Sequence, residues 1–312
     1  MSTFINSLPG ATALGMIWGI MAIGVYLTYK ILDIADLTVD GSICTGAVVC
    51  TVLVIGGMNV WLALIIAFLA GALAGLVTAL FHTVMGIPPI LAGILTQLML
   101  WSINLKILGA ANVALSARTY GVIITQLLVN KSLLILVAFL VVLIAGLYWF
   151  FGTEIGSSIR ATGCNSRMSK AQGININVTK IIGLMLSNGI VALSGALLCQ
   201  YQGFADINMG RGAIVIGLAA CIIGIALTNI IPKVGKNFAV RLVGVAIGGV
   251  VYYVVFQFVI CLGIDTDLLK MLSALVVALF LGFPYVKKNF PIKQIKKFFA
   301  PKKKVEGGNK DA

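Results

Sequence analysis

The sequence has 312 residues, of which 60% are hydrophobic and only 10% are charged, and its mean hydropathy is +1.10. Because soluble domains carry roughly 25% charged residues, this composition excludes a soluble globular fold. It predicts an all-α integral membrane protein without a separate soluble domain. The net charge of +13 is concentrated in the 287–312 segment, where it favours anionic lipid headgroups rather than nucleic acid as the partner.

Apolar runs suited to membrane spans recur along the chain. A helix crosses a hydrocarbon core with roughly 20 apolar residues. Nine segments follow this pattern, and we expect eight to ten spans in all. Their approximate bounds are 10–29, 41–57, 61–80, 89–103, 133–151, 181–199, 212–227, 242–262 and 268–283. An extra span within 121–130 would change the predicted count and therefore the side on which the N-terminus lies.

Lysine and arginine residues predict the orientation, because cytoplasmic loops carry an excess of both. They are concentrated in the segment 152–180, in the loop 228–241 and in the tail 287–312. Two predicted spans separate each of these regions from the next, so all three are expected on the cytoplasmic side. The C-terminus is then cytoplasmic, and the N-terminus lies outside.

A stretch near the N-terminus occurs a second time. Gly19-Ile-Met-Ala-Ile-Gly-Val-Tyr-Leu27 is similar to Gly189-Ile-Val-Ala-Leu-Ser-Gly-Ala-Leu197. An offset of 170 relates Gly19 to Gly189 and Asp36 to Asp206, and an offset of 171 relates Gly41 to Gly212. Each copy consists of an apolar helix, an aspartate, a short polar interruption with glycine, and a second apolar helix.

The predicted spans give these two copies opposite orientations. The first copy enters its second helix from the cytoplasm, and the second copy enters it from outside. We therefore predict an inverted four-helix repeat, with repeat one at about 10–104 and repeat two at about 181–283. Inverted repeats with short broken helices are typical of transporters, because irregular backbone at membrane depth must line a cavity or be buried in protein.

The polar interruptions are the predicted translocation pathway. Carboxylates beside a span are costly and commonly mark a functional or water-filled region. The alternative is an ordinary turn, in which Asp40 or Ser42 caps the following helix. The presence of a second copy favours function. The predicted pathway residues are Asp36, Thr38, Asp40, Gly41, Ser42, Asp206, Asn208 and Gly212.

The segment 152–180 is predicted to contain a short basic surface helix. Asn165 or Ser166 is a suitable N-cap, and Gly173 is a suitable C-cap. The segment is either a plain connector or a surface that a peripheral motor protein grips. The predicted coupling residues are Arg160, Asn165, Arg167, Lys170 and Gly173.

Catalytic motifs are absent from the sequence. It has no Gly-x-x-x-x-Gly-Lys-Ser/Thr loop, so we expect that the chain does not hydrolyse ATP. It also has no His-Glu-x-x-His or Gly-x-Ser-x-Gly motif, and we predict that it is not an enzyme. The six cysteines form no Cys-x-x-Cys pair and His82 is the single histidine, so neither a metal site nor a disulfide is predicted.

Several strings of the sequence belong to a familiar pattern. They are Asp36–Ser42, Arg160–Gly163 with Ala171–Ile174, Asn188–Leu197, Gln200–Gly210 and Asp267–Lys270. These strings resemble the permease subunits of bacterial ABC importers of the branched-chain amino acid/ribose type. The resemblance covers nearly the whole chain and is strongest to permeases paired with tryptophan/tyrosine-type binding proteins. Arg211 and Cys164 depart from the family pattern, since a small or apolar residue and an acidic or polar residue, respectively, are expected there.

This resemblance implies a permease domain over 1–286 of a bacterial cell membrane protein, followed by the basic cytoplasmic tail. It implies a permease homodimer, two cytoplasmic ABC ATPase subunits and an extracytoplasmic substrate-binding protein. The chain itself would bind no cofactor, because its ATPase partner uses the ATP. An amino acid would be imported by alternating access, and the likeness to tryptophan/tyrosine-type permeases implies an aromatic one.

Two other functions remain open at this point. A secondary transporter driven by a gradient would use the same inverted repeat without an ATPase. A non-transporting membrane scaffold would conduct no solute at all.

Overall fold

A computed structural model describes residues 2–229 and 237–261, together with residues 271, 274, 275, 278 and 282. In the two continuous ranges, the chain forms ten α-helices, which we number in chain order. They are α1 Ser2–Tyr26, α2 Val39–Ile55, α3 Val60–Thr83, α4 Pro89–Leu108, α5 Val129–Gly152, α6 Glu154–Cys164, α7 Ser166–Ala171, α8 Ile176–Gln202, α9 Ala213–Asn229 and α10 Phe238–Cys261.

Six helical segments in the described ranges are long and apolar enough to cross a membrane. Their bounds are Asn6–Ile31, Val60–Thr83, Pro89–Leu108, Gln126–Gly152, Ile176–Gln202 and Phe238–Cys261. The structure thus confirms a multi-helix membrane protein. Only five residues of the ninth predicted span (268–283) are described, all of them helical. The rest of it, like the tail 287–312, lies outside the described residues, so the count of nine stays a prediction.

Helices α2 and α9 are apolar but shorter, with 17 residues each. At a rise of 1.5 Å per residue, each is about 26 Å long, less than the roughly 30 Å of a hydrocarbon core. Each follows a break in the helical backbone. Before α2, a π-helix ends at Ile31 and Asp33 adopts a φ of 55°, and before α9 the chain turns at Gly212, whose φ is 85°.

One feature of the connections was not predicted. Strand β1 (Asn112–Ala114) pairs with strand β2 (Phe204–Asp206) in a small antiparallel sheet. The prediction of a purely α-helical chain is therefore incomplete, because strands of three residues are too short to show an alternating pattern. The 121–130 stretch leads into α5 through the 3₁₀ turn Gln126–Leu128 and contains no additional span.

The core lies between α1, α2 and α8, with α3, α9 and α10 packed around them. Glycines bring these backbones close together, as small residues do in membrane helices. A Cβ atom added to Gly19 would lie 2.9 Å from the carbonyl oxygen of Ala246, so α1 and α10 are in close backbone contact. On the other side of the core, Gly75 packs in the same way against the Leu184 backbone of α8. These contacts position the segments that precede α2 and α9.

Candidate functional site

A hydrogen-bonded network lies where α2 begins. Asp36 is only 3% exposed, and its Oδ1 accepts a hydrogen bond from the Thr38 backbone N–H at 2.9 Å. Its Oδ2 accepts from Nδ2 of Asn188, in the middle of α8, at 2.7 Å. The Asn188 Oδ1 in turn accepts from the Ser42 hydroxyl at 2.6 Å. Loop, α2 and α8 are therefore joined by one chain of buried polar groups.

Helix α3 joins the same network. The hydroxyls of Thr38 and Thr78 are 2.7 Å apart, and both residues are buried. Asp36 has no ion-pair partner among the described residues, so neutral donors alone compensate the burial of this carboxyl group. Buried polar groups of this kind are stable only when they are hydrogen-bonded.

Asp40 connects α2 to α9. Its Oδ2 accepts from the Gly212 backbone N–H and its Oδ1 from that of Ile214, each at 2.9 Å. Backbone N–H groups at the start of a helix lack partners within the helix, and a carboxylate there is also favoured by the helix dipole. The alternative interpretation, in which Asp40 or Ser42 caps α2, is wrong, because Thr38 occupies the N-cap position of α2 without a side-chain bond.

The second copy repeats the local turn of the first. Asp206 Oδ1 accepts from the Asn208 backbone N–H at 2.6 Å, as Asp36 does from Thr38. Its surroundings differ, since Asp206 is half-buried and its Oδ2 accepts from Asn112 Nδ2 of β1 at 3.3 Å. The turn follows from the aspartate itself, whereas the burial depends on the neighbouring helices.

A cavity of about 370 Å³ opens at this junction, and we call it the junction cavity. It divides the predicted pathway residues into three groups. Asp40 and Gly41 line it, whereas Asp36, Thr38 and Ser42 are buried in the network. Asp206, Asn208 and Gly212 belong to the turn that leads into α9. The full lining is Asp40, Gly41, Cys44, Gln97, Leu98, Trp101, Asn104, Ile207 and Arg211.

The predicted surface helix is present in segment 152–180 as α7. Asn165 is its N-cap and accepts from the Met168 backbone N–H at 3.1 Å. Gly173 follows the helix with a φ of 83°, a conformation that favours glycine. The predicted N-cap at Asn165 is confirmed, whereas Gln172 occupies the C-cap position and Gly173 follows it by one residue. The five predicted coupling residues are exposed: Arg160, Asn165, Arg167, Lys170 and Gly173.

The helix before α7 contacts the end of the first span. Gly163 of α6 packs directly on the carbonyl group of Ile31, with no room for a Cβ atom between them. On the same helix, the Thr162 hydroxyl lies 3.0 Å from that of Thr179 in α8. The exposed segment is therefore in contact with the backbone that leads, five residues later, to Asp36.

Comparison with known proteins identifies the family. The family model described as "branched-chain amino acid transport system / permease component" matches residues 8–281. The chain belongs to this permease family. A tyrosine transport system permease protein of Clostridioides difficile is 38% identical over 270 residues, which are 86% of this chain and 88% of that protein.

Other relatives match over a similar length. An uncharacterized protein of Rickettsia prowazekii is 33% identical over 86% of this chain and 94% of its own length. A probable branched-chain amino acid transport permease protein of Methanocaldococcus jannaschii is 25% identical over 87% of this chain and 90% of its own. No solved structure matches the permease.

Three residues of this region of the permease have structural roles that the sequence does not predict. Asn188 and Gly163 lie within the strings that resemble the family, and Asn104 belongs to no predicted motif. Asn188 and Asn104 are polar residues within apolar helices, which is a usable signal for a buried network. Gly163 carries no such signal, because its importance lies in the contact with Ile31.

Proposed function

We propose that this permease is the membrane-spanning subunit of an ATP-driven ABC importer that moves an amino acid, of the aromatic class, into the cell. The observation that carries this proposal is the contact between the exposed basic segment α6–α7 and Ile31. A partner that moves α6 would act on the connection between α1 and α2 without any intervening domain.

The proposed path for the solute is the junction of α2 and α9. Asp40 and Gly41 line the junction cavity, and the network around Asp36 fixes the position from which α2 starts. A shift of Ile31 by the coupling segment would change this start, and with it the cavity. The surface that the ATPase grips would consist of exposed residues of α6, of α7 and of the positions that flank α7. They are Arg160, Asn165, Arg167, Lys170 and Gly173.

The inverted four-helix repeat and the nine spans are part of this proposal. If α1 corresponds to α8 and α3 to α10, then the contact of α1 with α10 corresponds to that of α8 with α3. Both of these pairings are present as close glycine-mediated contacts, which supports the repeat. The permease domain then covers 1–286, with the basic tail 287–312 on the cytoplasmic membrane surface.

The remaining partners follow from the family resemblance. We propose a permease homodimer, two cytoplasmic ATPase subunits that use the ATP, and an extracytoplasmic binding protein. The exposed apolar side chains of α3 and α5, such as Leu73 and Val142, are suited to lipid or a second permease. The relative named as a tyrosine transport permease supports an amino acid as the solute.

The proposal is tested by affinity purification from native membranes. We expect a Walker-motif ATPase to co-purify with the permease and to be lost when Arg167 and Lys170 are both changed to glutamate. Lys131→Glu is the matched control, because Lys131 is exposed in the first turn of α5, at the end of that helix that lies away from α6. A permease that purifies alone and transports in liposomes without ATP would instead be a secondary transporter, and one without any solute flux would be a scaffold.

A further inference from the structure

The junction cavity brings together two opposite charges that do not pair with each other. Asp40 contributes a carboxylate and Arg211 a guanidinium group, and no ion pair joins them. The Arg211 side chain has no hydrogen-bond or ion-pair partner in the described part of the chain, so its five N–H donors remain available there. Asp40 uses one lone pair on each oxygen for the start of α9 and keeps further acceptor capacity.

Asn104 adds an acceptor without a partner. This residue of α4 is only 1% exposed, and its Oδ1 has no hydrogen bond within the described residues. The orientation of the amide follows from its neighbour. The Thr45 hydroxyl donates to the Gly41 carbonyl at 3.0 Å, so its oxygen must accept from Asn104 Nδ2 at 3.1 Å. The oxygen is therefore the amide atom without a partner, in a residue that lines the cavity.

Gln97 is a further polar residue of the lining. The remaining lining residues are Trp101 and Leu98 of α4, Ile207 and Cys44. The Cys44 thiol already donates to the Ile207 carbonyl at 3.3 Å and so presents little polarity. A volume of about 370 Å³ lies within the roughly 300–1,000 Å³ of small-molecule sites.

From this arrangement we propose that the junction cavity is the permease's own binding site for a zwitterionic α-amino acid with an apolar or aromatic side chain. The ammonium group of the amino acid donates to Asp40 and Asn104 Oδ1, and its carboxylate accepts from Arg211. The side chain lies against Trp101 and Leu98. This inference rests on the amino-acid import proposed above and assigns it a site within this chain.

Charge balance separates this ligand from other small solutes. A zwitterion satisfies both Asp40 and Arg211, whereas a sugar satisfies neither charge with a counter-charge. A purely cationic solute gives the exposed Arg211 no counter-charge, and a purely anionic solute leaves the half-buried Asp40 carboxylate without one, so each makes only one of the two charge contacts. Bidentate contact between a guanidinium and a carboxylate also fixes the orientation of the ligand.

The test is equilibrium binding to the full-length permease in lipid nanodiscs, with radiolabelled L-tyrosine, L-tryptophan and L-leucine as the probes. We expect saturable binding of at least one of them. Tyrosine methyl ester lacks the carboxylate, and 3-(4-hydroxyphenyl)propionate lacks the ammonium group, so both should compete poorly. Absence of saturable binding by all three amino acids would overturn the proposed site.

Variants of the cavity residues test which protein groups contact the bound amino acid. Arg211→Gln should weaken binding about tenfold or more, because a charge-assisted contact is lost, and should abolish the preference for an amino acid over its ester. Asn104→Leu should weaken binding in the same assay. Arg118→Gln changes an exposed arginine outside the cavity and should leave affinity unchanged. Wild-type affinity in both cavity variants would refute the site.

Uptake separates the two proposals. ATP-dependent uptake of the same amino acids is measured with the ATPase and the binding protein present. Uptake without binding to the isolated permease would leave amino-acid import standing and remove the cavity site. Absence of both uptake and binding would overturn both proposals.

Discussion

At the scale of single residues, Asp36 and Asp206 form the same local turn in two different environments. Both accept a hydrogen bond from the backbone N–H two residues later. Asp36 is also held by Asn188 and is 3% exposed, whereas Asp206 is half-buried beside β1. A group that is removed from a buried network leaves its partners unsatisfied, and a group near the surface is replaced by water.

This difference predicts unequal effects of the same substitution. Asp36→Ala should lower the stability of the purified permease by about 1–3 kcal/mol, because a donor of Asn188 and the Thr38 N–H lose their acceptor. Asp206→Ala should cost about 0.5 kcal/mol or less, as is usual near the surface. Thermal unfolding in detergent, with uptake measured alongside, checks both. Equal losses of stability would contradict the burial-based explanation.

The sequence predicted these residues better than it predicted their partners. A repeated aspartate before a short apolar helix was visible in the sequence. So were the N-cap Asn165 and, to within one residue, the end of α7 at Gly173, because helix ends depend on neighbouring residues. The partner of Asp40 lies 172 residues away. No local sequence pattern specifies a hydrogen bond between residues so far apart in the chain. The capping of α9 by Asp40 could therefore be found only from the fold.

At the scale of helices, the contact of α6 with Ile31, the last residue of the first span, depends on the absence of a side chain at Gly163. Gly163 lies against the Ile31 carbonyl, and Leu32 packs on Gly183 of α8. Between this contact and Asp36, the chain passes through the left-handed Asp33, with a φ of 55°. Non-glycine residues in this region of φ are uncommon, and aspartate is among the residues that tolerate it.

Gly163→Val should therefore disturb transport more than a comparable change elsewhere. The larger side chain must displace the backbone at Ile31, and overpacking of this kind costs about 1–3 kcal/mol. We expect ATP hydrolysis by the partner to continue while uptake falls. Gly146→Val on α5 is the control, because a Cβ atom there meets no other atom within 4 Å. Unchanged uptake in Gly163→Val would remove α6 from the coupling route.

Helices were predicted more reliably than the other elements. Long apolar runs specify a span through composition alone, so six of the predicted spans are present as membrane-length helices. The small sheet between β1 and β2 was missed, since its two strands are three residues long and 92 positions separate Asn112 from Phe204 along the chain. Such a pairing depends on where α4 and α8 end in space.

At the scale of the whole molecule, the two halves of the chain are interleaved rather than placed side by side. Helix α1 packs on α10, and α3 packs on α8. These contacts, and that of α2 with α8, join helices from before α5 to helices from after it. Neither half can form the junction cavity alone, because Asp40 comes from one and Arg211 from the other.

The orientation of the whole chain can be tested by labelling. Cys164 is exposed next to α7, and Arg118 is exposed in the connection before α5. Two variants with one cysteine each are compared: one keeps Cys164, and the other carries Arg118→Cys and no other cysteine. A membrane-impermeant maleimide should label residue 118 in intact cells and Cys164 only after permeabilisation. Labelling of both from the same side would contradict the proposed topology, since α5 lies between them.

The hydrogen bonds between Asp40 and the start of α9 can form only late in the synthesis of the chain. The Gly212 N–H that it accepts from lies 172 residues later in the chain. At a synthesis rate of roughly 5–20 residues per second, the carboxylate waits roughly 10–30 s for that partner. During this interval, the Asp40 carboxylate in the first turn of α2 has neither of its two donors from the start of α9. The first half of the chain therefore acquires the hydrogen bonds that join α2 to α9 only after α9 has been synthesised.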